Sequence, residues 1–100
     1  MTAAKSDLVL ENQEDVRNVQ SLKVRLAPLL GKARRKKVRL DATAVERVDA
    51  SALQLLTAFA LALQAQKREL EWHAPSPAFV RAVNGLGLGG ALGLDAGVAR

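Results

Sequence analysis

At 100 residues and 10.7 kDa the chain is the size of one domain, and its 49% hydrophobic and 25% charged content excludes wholesale disorder. The absence of cysteine removes disulfides, thiolate metal sites and cysteine nucleophiles and fits a reducing cytoplasm, while a single histidine, His73, rules out a cage of several imidazoles. The formal charge of +5 suggests a nucleic acid, an acidic membrane surface or an acidic protein partner, but the excess is concentrated in the run Lys32-Ala33-Arg34-Arg35-Lys36-Lys37.

In chain order, Met1–Lys5 is polar and lacks the apolar stretch of a signal peptide. Leu8, Val9 and Leu10 form a short strand candidate. Val19, Leu22, Leu26, Leu29 and Leu30 then repeat at helical spacing, with Asn18 placed to cap the start and Gly31 the end. Pro28 removes a backbone donor and crowds the carbonyl of Val24, so a kink or early end is expected there. Lys37–Ala42 alternates polar and apolar positions, as does Glu69–His73, which marks both as strands with one buried and one solvated face. Between them a helix is expected from about Ala52 to Lys67, with Leu53, Leu56, Phe59, Ala60 and Leu63 on one side. Pro75 closes the second strand, and Ser76 followed by Pro77 opens a shorter helix through Asn84.

Strands joined by helical crossovers lie parallel. Because the two clearest strands keep Lys37, Arg39, Asp41, Glu69, Glu71 and His73 on their second face, the helices are expected on one side only. The resulting expectation is an α/β fold: a small, mainly parallel β-sheet with helices packed on one face. One domain is expected over residues 1–100, with its core at about 7–94 and flexible ends at 1–6 and 95–100.

Few residues offer chemistry. Gly85-Leu86-Gly87-Leu88-Gly89-Gly90 matches G-x-G-x-x-G in form, but it follows a helix and lacks the strand before it. A glycine helix stop is expected instead, with Leu86, Leu88, Leu92 and Leu94 folding back on the core. The basic run has no recognition helix or aromatic platform beside it, so nucleic acid is not the expected partner. Asp49 and Ser51 stand at the start of the strongest helix. Ser51 and Gln54 have the spacing of a capping box, and a helix start also offers free amides to an anion or phosphate.

The stretch Val48-Asp49-Ala50-Ser51-Ala52-Leu53-Gln54-Leu55-Leu56 resembles the loop-and-helix signature of STAS domains, which occur in sulfate transporters and anti-sigma factor antagonists. Val38–Arg47 is similar to the family's central strand and following turn, and Trp72–Pro77 and Leu86-Gly87-Leu88 to its later elements. The resemblance implies a sheet with helices on one face and a non-enzymatic regulatory protein-binding module in bacterial signalling, with no cofactor or metal. It places the partner surface at Asp49, Ala50 and Ser51, framed by Arg47, Gln54 and Asn18. In the anti-sigma antagonist branch a kinase partner phosphorylates the residue after the signature aspartate. Here that residue is Ala50, which has no hydroxyl, and Ser51 becomes the candidate phosphoacceptor. The partners implied are an anti-sigma or kinase-like protein, a sensory or chemotaxis system, or the ATPase of a phospholipid-trafficking ABC transporter. A nucleotide or phosphate at the helix start is the alternative of another class. Asp49→Lys is expected to abolish partner capture while changing stability by less than about 1 kcal/mol.

Overall fold

The computed structural model describes residues 6–31 and 36–94. Three strands, β1 (Leu8–Val9), β3 (Lys37–Asp41) and β5 (Glu69–His73), form a parallel sheet in the order β1-β3-β5. A second, smaller parallel pair joins β2 (Gln13–Glu14) to β4 (Arg47–Val48). The helices are α1 (Val19–Gly31), α2 (Ala50–Ala65), α3 (Pro77–Gly85) and α4 (Gly89–Leu92). The fold is therefore α/β with a small parallel sheet, as expected from the alternating strands.

The sheet's inner face carries Val38 and Leu40, which join Leu22 and Leu26 of α1 and Leu53, Leu56, Phe59 and Leu63 of α2 in one buried cluster. The outer face carries charges in register: Lys37 beside Glu69, Arg39 beside Glu71, and Asp41 beside His73. Arg39 Nη2 lies 3.0 Å from Glu71 Oε2. Opposite charges at paired positions stabilise such a face.

Several expectations are corrected. Helix α1 continues through Pro28 to Gly31 rather than stopping early. Pro28 and Val24 are both exposed, so the crowded carbonyl can tilt towards water at little cost. Asn18 precedes α1, but its side-chain amide donates to the Gln13 carbonyl at 2.7 Å instead of capping the helix. Helix α2 starts at Ala50, two residues earlier than its spacing suggests. In the glycine-rich stretch Leu92 and Leu94 are buried and Leu88 packs on the core, but Leu86 is 51% exposed. Trp72 Nε1 donates to the Leu92 carbonyl at 2.8 Å, and its ring lies 4.9 Å from that of Phe79, so this tail is clasped against β5 and α3. Of the basic run, Lys32–Arg35 lie outside the described residues, as do 1–5 and 95–100, where flexible ends were expected.

Candidate functional site

The α2 N-terminus is built around one carboxylate. Asp49 has extended backbone (φ −111, ψ 178) and is the N-cap of α2: its Oδ1 accepts from Ala52 N at 3.1 Å. Its Oδ2 accepts from Val16 N at 2.9 Å, across 33 positions of sequence. Its own N–H donates to the Glu14 carbonyl at 3.2 Å, and its carbonyl accepts from Leu53 N at 3.0 Å. The cap was expected at Ser51, which instead lies inside the first turn. The S-x-x-Q pattern is present, but Asp49 satisfies the amide one residue past Ser51 and also ties α2 to the segment before α1.

That tie matters to the β2–α1 connection. Asp15 Oδ1 accepts from Arg17 N at 3.0 Å and the Asp15 carbonyl accepts from Asn18 N at 2.9 Å, which closes a turn beside the loop. Beneath it Glu14 is fully buried. Arg25 of α1 reaches it with Nη2 3.2 Å from Oε1 and 3.3 Å from Oε2, and Glu11 N donates to Oε2 at 2.6 Å. Arg25 Nε is buried without a hydrogen-bond partner. The β2–β4 pair, the ion pair and the Asp49 carboxylate therefore fix the same few residues from three directions.

The expected site residues come together unevenly. Arg47 and Asp49 line a shallow hollow of about 270 Å³ with Asp15, Val16, Arg17 and Val48. Ala50 and Gln54 are exposed near the start of α2, Ser51 is half-buried, and Asn18 does not line the hollow but donates its backbone N–H to the carbonyl of Asp15, which does. The rim is accessible to another molecule. Both Asp49 oxygens hold backbone amides, so Asp49→Lys is expected to cost about 1–2 kcal/mol of stability rather than less than about 1 kcal/mol. Glu14, Arg25, Val16 and Arg17 escaped the sequence reading. The Asp15-Val16-Arg17-Asn18 run carries a turn signal, but nothing in the sequence marks Glu14 as buried, since polar Gln13 and Asp15 flank it.

Chemically the site can bind but has little to react with. Among the described residues no group of three or more His, Asp or Glu side chains could hold a metal ion. Asp15 and Asp49 line the same hollow as the two arginines, so its formal charges balance. No helix of the described residues is long and apolar enough to cross a membrane.

A hydrogen-bonded loop at a helix start, carried on a small parallel sheet with helices, defines a small α/β module. Residues 1–94 match the family model described as Mlab, STAS domain, and the chain belongs to the STAS domain family. STAS domains are generally non-enzymatic and generally mediate protein–protein interaction. No curated protein matches the chain.

Proposed function

We propose that this chain is a non-enzymatic, partner-binding STAS module of bacterial signalling that docks a protein through the Asp49-Ala50-Ser51 loop and the first turn of α2. Arg47, Gln54 and the Asn18 turn frame the contact. The observation that carries the reading is the inward engagement of Asp49, with both carboxylate oxygens on backbone N–H groups, while Ala50 and Gln54 face out. A loop ordered before contact loses little entropy on binding. The partner is an anti-sigma or kinase-like protein, in a general or chemotaxis-associated system, acting in the cytoplasm. Ser51 is the hydroxyl available to a kinase there.

The match of residues 1–94 to the model described as Mlab, STAS domain, favours a second reading, a subunit docked on the ATPase of a phospholipid-trafficking ABC transporter. Ala50 stands where both branches carry a hydroxyl, and it counts against both in their usual switched form. Introducing a hydroxyl by Ala50→Thr, and a bulky charge by Ala50→Lys, tests both. Loss of partner capture in Ala50→Lys with unchanged thermal unfolding is expected. Retained capture by that variant would overturn the proposed surface. Intact-mass measurement of protein from its own cells then reads Ser51: a phosphate supports switching, and its absence supports stable docking.

A further inference from the structure

The hollow beside the loop has a charge pattern that specifies more about its occupant. Arg17 and Arg47 are both exposed and stand on its lining, one from the β2–α1 turn and one from β4. Neither forms an ion pair with a described residue, whereas Arg25 and Arg39 do. The two carboxylates of the same hollow are directed at backbone: Asp15 Oδ1 accepts from Arg17 N, and Asp49 uses both oxygens on Val16 N and Ala52 N. Asp49 also lies at the positive end of α2, which offsets its charge. The two carboxylates balance the hollow's formal charge, and its charged groups left without a hydrogen-bond or ionic partner among the described residues are the two guanidiniums. On the same lining Val16 is 63% exposed, in a segment held by the Asp49 bond.

We infer that the docked partner presents an acidic segment, with aspartate or glutamate side chains that pair with Arg17 and Arg47 and flank an aliphatic side chain seated on Val16. This rests on the docking surface proposed above and names what that surface selects. Guanidinium forks pair with carboxylates in two parallel hydrogen bonds, so the arrangement would fix register as well as sign.

The test is selection from a random displayed peptide library on the full chain, followed by affinity measurement on R17E/R47E, on Ala50→Lys and at raised salt. Circular dichroism melting shows that each variant folds. Expected are peptides bearing Asp or Glu beside an aliphatic residue, at least about tenfold weaker on R17E/R47E and recovered when their carboxylates are exchanged for arginine. Peptides without acidic bias that are lost on Ala50→Lys but unaffected by R17E/R47E would overturn the inference and leave the docking surface standing. Peptides indifferent to all the variants, or none selected, would overturn both. Retention of an RNA oligonucleotide that depends on Arg17 and Arg47, with no acidic peptide selected, would overturn the inference in favour of a polyanion.

Discussion

Glu14 is fully buried beneath the candidate site, and Arg25, with its side chain 24% exposed, is its only ionic partner among the described residues. The pair links β2 to α1, and β2 in turn pairs with the strand that leads into Asp49. Removing one member leaves the other uncompensated, so Arg25→Met should cost about 3 kcal/mol in urea unfolding. Replacing both, as Glu14→Leu with Arg25→Met, should return most of that stability. If the single and double variants lose equally, the pair is not what holds this corner.

Asp49→Ala removes the α2 cap and the Val16 bond together. A loss of about 1–2 kcal/mol is expected, with faster hydrogen exchange at the Val16 and Ala52 amides. Asp49→Asn, which keeps one acceptor oxygen, should recover only part of it. Exchange faster at Ala52 alone would show that the long-range bond does not form in solution.

Ser51→Ala should change stability by less than about 0.5 kcal/mol, because Asp49 rather than Ser51 caps the helix. A chemical denaturation curve settles it, and a loss near that of Asp49→Ala would put the cap back on Ser51.

Asp41 gives the fold a dependence on pH. The backbone N–H of Thr43, 2.8 Å from Oδ1, holds its carboxyl below the ordinary value of 3.8. The Thr43 hydroxyl and the charge of His73 add to this, while burial works against it. The folded carboxyl thus binds its proton less tightly than the unfolded one. This contribution is complete above about pH 3.8 and is lost as pH falls through the lower folded value. Unfolding free energies of wild type and Asp41→Asn, measured from neutral pH into acid, should differ in slope only on that acid side. Parallel curves there would remove Asp41 as the cause.

The sheet strands β3 and β5 and the helix α3 were legible because each has a period or a punctuation mark: alternation over five residues, or Ser76 and Pro77 at a helix start, where Ser76 Oγ does accept from Phe79 N at 3.1 Å. Strands β2 and β4 were not, since two residues cannot display a period. The site loop was legible as a location, through Asp49 and Ser51. Its internal order was not, because two cap-forming residues stand two apart and the choice between them is made by Val16, brought in from another element. Arg17 and Arg47 likewise become neighbours only through the β2–β4 pairing, which no local pattern announces.

The indole of Trp72 is the sole one in the sequence, and it bridges the last strand to the Leu92 carbonyl. Its emission therefore serves as an intrinsic gauge of the C-terminal clasp. Loosening of α4 would wet the ring and shift the spectrum while the far-ultraviolet helical signal persists, so partial opening at that end can be followed optically, without a label and apart from global unfolding.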